Sequence, residues 1–428
     1  MTLRVGVAGL GTVGSGVLRL LRDNAELVAA RAGQPVVVTA VSSRDRGRDR
    51  GVSLEGVRWH EDALALAGDP GVDVVVELIG GSEGAGRALV EASLRAGRPV
   101  VTANKALLAV HGAALAEAAE RAGVMLGFEA AVAGGIPVIK ALREGLAGNR
   151  VERVAGILNG TCNYILTTMR ESGRDFADVL GEAQALGYAE ADPSFDVDGV
   201  DAAHKLAILA ALAFGRPVAF DELHVEGIRA VSALDIGFAE ELGFRIKLLG
   251  IAQRGEAGVL ARVHPCMVAR DSSLARVEGV FNAVVAEGDF VGRLMIEGRG
   301  AGAGPTASAV VADLVDLARE RVVPVWGVAS AALSHSPAGS MADRVGAFYL
   351  RLMVRDRPGV IADVAAALRD HDVSVASMLQ HGRAPEEAVA MVLVTHETRE
   401  SDMAAAMRDV AGLEAVLEPP ALIRIEAG

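Results

Sequence analysis

A chain of 428 residues is long enough for two or three domains, and 51% hydrophobic residues with 50 glycines favour sizeable cores in an α/β architecture rich in tight turns. A net charge of −13 without a basic run argues against nucleic acid as the main partner. The mean hydropathy of +0.34 comes from Ala, Val and Gly, no stretch approaches the roughly 18 apolar residues of a membrane span, and the first residues read as a strand and turn, not a signal peptide, so a cytoplasmic protein is expected.

Residues 3–8 read as a short buried strand. Further strands are expected at 36–41, 72–78, 99–102 and 124–128. Helical patterns lie near 14–30, 84–96, 111–122 and 136–147. Strands separated by helices of this length make βαβ units, so 1–135 reads as one doubly wound, Rossmann-like parallel sheet. From about 150 the pattern changes. A strand at 151–158 precedes helices near 162–171, 176–186 and 197–214. Strands at 258–269, 279–287 and 290–297 then point to an α+β substrate and dimerisation domain over 136–319. Its final helix, near 306–319, follows a glycine-rich turn at 300–304 and would return the chain to the first domain. Residues 320–346 are rich in Pro, Gly and Ser and resemble a linker. The tail, 347–428, reads strand, helix, strand, strand, helix, strand, a ferredoxin-like module.

Gly9, Leu10, Gly11, Thr12, Val13 and Gly14 form GxGxxG, which is informative here because it follows a strand and opens a helix. Gly9 allows the tight turn, Gly11 the approach of a pyrophosphate, and Gly14 close helix–sheet packing. The free amides of the helix N-terminus then face the anion. At the end of the second strand, Ser43 and Arg44 stand where an acid would bind the ribose of NAD. A hydroxyl and a guanidinium suit a 2′-phosphate and favour NADP, while Asp45 keeps NAD open.

Asp201 and Lys205 are spaced i, i+4 on one helix face. The helix continues without charge from Leu206 to Gly215, so it reads as buried, with these two residues where it emerges into a cleft. A partly desolvated lysine can serve as acid or base, and Asp201 could orient it. The alternative is a surface ion pair. His204 points about 100° away on a helix and reads as structural. Upstream, Glu190 lies in a polar loop and could hold the ammonium of a zwitterionic substrate; a solvated loop is the alternative.

These residues fall in ordered motifs: GLGTVGSGV (9–17), ELIGG (77–81), VTANKALL (101–108), FEAAVAGGIPVI (128–139), NGTCNYIL (159–166), GYAEADPSFDVDGVDAAHKLAIL (187–209) and GAGAGPTASAVVADL (300–314). In this order they resemble homoserine dehydrogenase across about 1–319. The module from 347 resembles the ACT domain that many bacterial members carry. The resemblance implies NAD(P)-dependent interconversion of L-homoserine and L-aspartate 4-semialdehyde, within threonine and methionine biosynthesis. It implies Lys205 as general acid/base, Asp201 beside it, and Lys105 as a second lysine near nicotinamide and substrate. Glu190 matches the ligand of the substrate ammonium, and Gly160 of NGTCNY joins the substrate positions. Gly302 and Gly304 match the turn at the nicotinamide end. Glu129, with the carbonyls of Val132, Gly134 and Ile136, resembles the family's sodium site, and oxygen-only ligation suits a hard cation. In the tail, Gly359 of the DRPGV turn marks where effector amino acids commonly sit, with L-threonine as the expected inhibitor. A homodimer or homotetramer is expected.

Two readings compete. Cys162 could be the nucleophile of a semialdehyde dehydrogenase, but its motif lacks a partnered histidine. A catalytically inactive amino-acid sensor would also combine these domains, but Lys205, Lys105 and Glu190 are intact. The two cysteines, Cys162 and Cys266, are too few for a disulfide framework or a structural zinc site.

Overall fold

The computed structural model describes residues 1–334, 337–381 and 387–426. Strands and helices alternate from the start. β1 (Leu3–Ala8) leads into α1 (Thr12–Asp23) and α2 (Ala25–Ala32). β2 (Val36–Ser42), β3 (Arg58–His60), β4 (Val74–Glu77) and α3 (Ala85–Arg95) follow. β5 (Val100–Thr102), α4 (Lys105–Ala122) and β6 (Leu126–Gly127) complete the unit. The six strands form one parallel sheet in the order β3-β2-β1-β4-β5-β6. Successive valines of β1 and β4 are buried because helices cover both faces of such a sheet. Strand order reverses between β1 and β4, and this Rossmann-like switch point opens a crevice at the carboxyl ends of the strands.

Next come α5 (Val138–Lys140) and a π-helical turn over Ala141–Gly145, where Leu146 N–H bonds the Ala141 carbonyl at 2.8 Å. The single helix expected over 136–147 therefore begins only after Pro137 and passes into π geometry at Ala141. The middle region contains β7 (Val151–Ile157), α6 (Gly160–Ser172), α7 (Phe176–Ala185), α8 (Ser194–Val197) and α9 (Val200–Phe214). It continues through β8 (His224–Val225), α10 (Ala233–Glu241), β9 (Phe244–Gly255), β10 (Gly258–Ala269), β11 (Phe281–Gly288) and β12 (Gly292–Arg299). β9 and α10 were absent from the expected pattern. Lys247 explains the missed strand. It is buried within β9, and its ammonium donates to Asn163 Oδ1 at 3.0 Å and the Val277 carbonyl at 2.6 Å. Burial lowers its pKa to about 8.

α11 (Ala303–Ala318) lies across α1. The approach is close: a Cβ at Gly16 would sit 2.6 Å from the Ala303 carbonyl oxygen. The chain thus returns to the first sheet.

The stretch that reads as a linker is packed onto the body. Trp326 is fully buried with its ring 5.3 Å from that of Phe128, and Ser334 N–H bonds the Gly215 carbonyl at 2.7 Å. One large apolar side chain outweighs the surrounding turn-forming composition. His335 and Ser336 of this stretch lie outside the described residues.

The tail comprises β13 (Val345–Gly346), β14 (Phe348–Arg355), α12 (Val360–Arg369), β15 (Val375–Gln380), β16 (Ala388–Thr395), β17 (Thr398–Arg399), α13 (Glu400–Ala411) and β18 (Ala421–Glu426). Its strand order, β18-β14-β16-β15, is antiparallel and ferredoxin-like. β18 also pairs in parallel with β10, Cys266 opposite Arg424 and Val268 opposite Glu426. One sheet therefore runs β12-β11-β7-β9-β10-β18-β14-β16-β15, with β8 beside β10.

Charges seal this junction. Glu426 accepts from Arg262 at 2.8 Å and Arg344 at 3.0 Å. Arg424 donates to Glu400 at 2.5 Å and to both oxygens of Glu226 at 2.9 and 3.0 Å. Burial opposes ionisation of Glu426, but Arg262 and Arg344 outweigh it and bring its pKa to about 2.

Candidate active site

The turn after β1 has the build of a phosphate cradle. Gly9 sits at φ 95°, a conformation that side chains with a Cβ rarely adopt. A Cβ on Gly14 would lie 2.0 Å from the Gly9 carbonyl oxygen, whereas one on Gly11 would meet nothing within 4 Å. Gly11 also caps α1 without a side-chain hydrogen bond. Tight packing below and open space above the helix N-terminus fit a dinucleotide pyrophosphate. Gly302 caps α11, and Gly304 is open on its Cβ side. The approach of Gly16 to Ala303 brings that second turn against α1.

Arg44 is exposed beyond β2. Another arginine, passed over in the sequence, folds back beside Ser43. Arg50 donates to Ser43 Oγ and the Leu10 carbonyl, each at 3.3 Å, and to the Asp45 carbonyl. Its guanidinium lies 5.5 Å from the Trp59 ring centre. The alternation of Arg and Asp over 44–50 signalled basic charge without saying which residue would fold back.

The opposite wall is organised by Glu77, fully buried at the end of β4. It accepts from the Ile79 and Gly80 amides at 2.8 and 3.0 Å and from Thr102 Oγ1 at 2.6 Å. Thr102 Oγ1 in turn accepts from the Asn104 amide at 3.0 Å, and the Asn104 side chain caps α4 through Leu107 N–H at 3.1 Å. ELIGG and TANK are thereby tied together. Lys105 is the first residue of α4.

The structure brings Lys105, Asp201 and Lys205 together. Gly199 starts α9, so Asp201 and Lys205 occupy its first turns and both are buried. Lys205 Nζ donates to Asp201 Oδ2 and to the Leu158 carbonyl, each at 2.7 Å. Lys105 Nζ stands 3.1 Å from Asp201 Oδ1. Burial disfavours the Asp201 anion, but the two ammonium groups outweigh it and hold the carboxyl well below the usual range. An ammonium carries three N–H donors, and these two contacts leave one on Lys205.

Two partners were missed from the sequence. Asp196, on α8, and Asn159, before α6, border the same cluster, and Asn159 Nδ2 bridges to Asp196 Oδ1 at 2.7 Å and Asp201 Oδ2 at 2.8 Å. Burial raises the Asp196 pKa, and the neighbouring Asp201 charge adds to it. Gly160 opens α6 directly after Asn159. Asp196 lies in the PSFDVDG stretch of the quoted motif, but four carboxylates within the ten residues 192–201 gave no means of choosing one. Glu190 is exposed, and its carboxylate forms no hydrogen bond or ion pair among the described residues. The structure does not bring it into the lysine cluster.

His204 packs between Phe195 and Phe220, with ring centres 5.4 and 4.5 Å away, and burial lowers its pKa. Cys162 is buried, donates from Sγ to the Asp196 carbonyl at 3.2 Å, and has its pKa raised well above the usual thiol value by burial and by Asp196.

Glu129 is buried beyond β6. Its two carboxylate oxygens accept from the Ile139 and Lys140 amides, both at 2.9 Å, and its own amide donates to Asp313 Oδ2 at 2.9 Å. Burial and the Asp313 charge push its pKa up to about 7. Burial pushes Asp313 up to about 6, and its Oδ1 lacks a hydrogen bond. Val132, Gly134 and Ile136 lie in the adjoining turn, where Ala133 and Gly134 have φ of 55° and 47°. In the tail, Gly359 caps α12 at φ 99° in an exposed turn.

Comparison with known proteins matches this architecture segment by segment. Residues 9–129 match the homoserine dehydrogenase NAD binding domain, 137–315 homoserine dehydrogenase itself, and 348–415 the ACT domain. The homoserine dehydrogenase of Pseudomonas aeruginosa is 47% identical over 99% of each chain. The crystal structure of a homoserine dehydrogenase from Thiobacillus denitrificans is 47% identical, covers 100% of this chain and 99% of that one, and superposes with a TM-score of 0.94. A hyperthermophilic archaeal homoserine dehydrogenase in complex with NADPH is 26% identical over 75% of this chain and 99% of its own, with a TM-score of 0.65. Fold and site define an oxidoreductase with a nucleotide-binding domain and an appended ACT domain. The chain belongs to the homoserine dehydrogenase family.

Proposed function

We propose that the chain interconverts L-aspartate 4-semialdehyde and L-homoserine, with Lys205 as the proton-transfer group. One observation carries this reading: a buried ammonium, fixed by Asp201 and the Leu158 carbonyl, keeps a donor to spare, and through Asp201 it neighbours Lys105 at the start of the helix that follows β5. When bound, the nicotinamide supplies hydride exchange with the carbonyl carbon of the substrate. In the direction of reduction, Lys205 gives its free proton to the aldehyde oxygen as that oxygen gains charge; in oxidation it takes the proton back. Asp201 fixes that ammonium through Oδ2 and faces Lys105 with Oδ1. Lys105, about a third exposed, adds a second positive charge that favours the developing alkoxide. The half-buried setting of Asp196, beside Asp201, makes it the better candidate for the substrate ammonium, with Glu190 as the alternative from the exposed loop.

Ser43, Arg44 and Arg50 together favour NADP through its 2′-phosphate, and the archaeal relative was solved with NADPH. The residues around Glu129 fit a monovalent hard cation such as sodium. The donors are all oxygens, Asp313 Oδ1 lacks a hydrogen bond although Lys140 Nζ stands 3.6 Å away, and burial pushes the two neighbouring carboxyls up. Glu129 and the carbonyls of Val132, Gly134 and Ile136 would hold it. An amino-acid effector, with L-threonine the expected one, would bind the ACT domain near Gly359. A cytoplasmic homodimer or homotetramer remains the expected form. Initial rates with NADPH and NADH at matched semialdehyde, with and without threonine and sodium, test the whole reading; no turnover with either nucleotide would overturn it. Thiol chemistry at Cys162 gains no support from a buried, raised thiol.

A further inference from the structure

Asn159 holds the only neutral side-chain donor that the described residues place on both active-site carboxylates. It is 4% exposed. Its Oδ1 accepts from Cys162 N–H at 2.8 Å and so caps α6. Its Nδ2 therefore faces Asp196 and Asp201, and both of its N–H groups are spent there. The two carboxylates come from different elements, α8 and α9, and only one of them meets lysines. Asp201 contacts Lys105 and Lys205, whereas Asp196 forms no ion pair among the described residues.

Adjacent carboxylates disfavour each other's charge. A lysine or arginine between them would relieve this, but it would draw Asp196 into the cationic cluster and leave no free anion. A bridging amide stabilises both anions by charge-assisted hydrogen bonds and adds no net charge. We infer that Asn159 is a positioning residue that divides the two carboxylates between two duties, fixing Asp201 on the lysines and reserving the second oxygen of Asp196 for the substrate's ammonium. This rests on the assignment of Lys205 above.

The groups facing the pair are Lys105 on α4, Lys205 and His204 on α9, Cys162 on α6 and Asp198 after α8. None of them is removed by substituting Asn159. Asn159→Asp keeps an oxygen for the Cys162 amide, and hence the cap, but loses both donors. Without them the carboxylates protonate more readily, so the acid limb of the kcat/KM profile moves to higher pH, by on the order of one unit. KM for the semialdehyde rises about tenfold, more than kcat falls, the scale of one charge-assisted hydrogen bond. Asn159→Ser also caps α6 but donates at most one hydrogen, so it gives a smaller shift in the same direction. An unchanged pH profile and KM in Asn159→Asp overturns the inference; if that variant does not fold, the same result in Asn159→Ser does so. Lys205→Ala in the same assay separates the two levels. If it abolishes turnover while the Asn159 variants behave as wild type, only the Asn159 assignment falls. If Lys205→Ala is also active, the proton-transfer assignment falls with it.

Discussion

Two buried charge clusters in this molecule use similar side chains to opposite ends. At the β10–β18 junction every carboxylate meets a guanidinium: Glu426 takes Arg262 and Arg344, Glu400 takes Arg344 and Arg424, and Glu226 takes Arg424. Planar forks pair with carboxylates at two points and lock an orientation. At the start of α9 the cations are lysines, point charges with rotatable donors, and one donor of Lys205 and one oxygen of Asp196 are left over. A closed network holds domains together, whereas an open one can exchange a proton and grip a ligand.

The sharpest way to break the contrast is Lys205→Ala. Loss of a general acid/base should lower kcat by about two to four orders of magnitude, followed by NADPH absorbance with the semialdehyde. A retained rate would put proton transfer elsewhere. In the closed cluster, Arg424→Ala leaves Glu226 and Glu400 without a shared partner and should cost about 3–5 kcal/mol in urea unfolding of the intact chain. The folded variant should keep a near-normal kcat; a loss below about 1 kcal/mol would make the junction charges incidental. The open cluster is sharpened by comparing Asp196→Asn with Glu190→Gln. The former should raise KM for the semialdehyde about tenfold, and the latter less. The reverse order would return the ammonium site to the exposed loop.

Acid should reach the closed network gradually. Glu426 and Glu226 both have folded-state pKa values of about 2; burial opposes ionisation of each, but arginines, and for Glu226 also His224, outweigh it. The stabilisation is therefore complete above the ordinary carboxylate pKa of about 4.3 and is lost as pH falls towards 2. The thermal midpoint should drop over that window, and a flat profile would mean that the pairs contribute nothing. The smallest effect belongs to Cys162→Ala, whose turnover should stay within a few-fold of wild type; its abolition would revive thiol chemistry.

Regular periodicity made most of the first sheet readable, since β1, β2, β4 and β5 are valine-rich runs, whereas the short edge strand β3, Arg58–His60, carries no such run. The lysine–aspartate pair was readable because it interrupts an otherwise uncharged helix. β9 was hidden because Lys247 looks like a surface residue until the Asn163 and Val277 oxygens are folded against it. Arg50, Asn159 and Asp196 were hidden for a related reason. Their roles depend on contacts between residues distant in the chain, such as the 42 residues separating Asn159 from Asp201, which spacing on one element cannot express. Trp326 made the supposed linker a packed segment, because a single buried indole decides what composition leaves open.

The parallel pairing of β18 with β10 also sets an order of events at the ribosome. β10 is synthesised long before the strand that pairs with its Cys266–Val268 segment. Until residues 421–426 emerge, the nascent chain presents unpaired backbone groups on an apolar strand, together with the uncompensated guanidinium of Arg262. Chaperone demand during translation should therefore peak late, after the lysine–aspartate cluster has been synthesised.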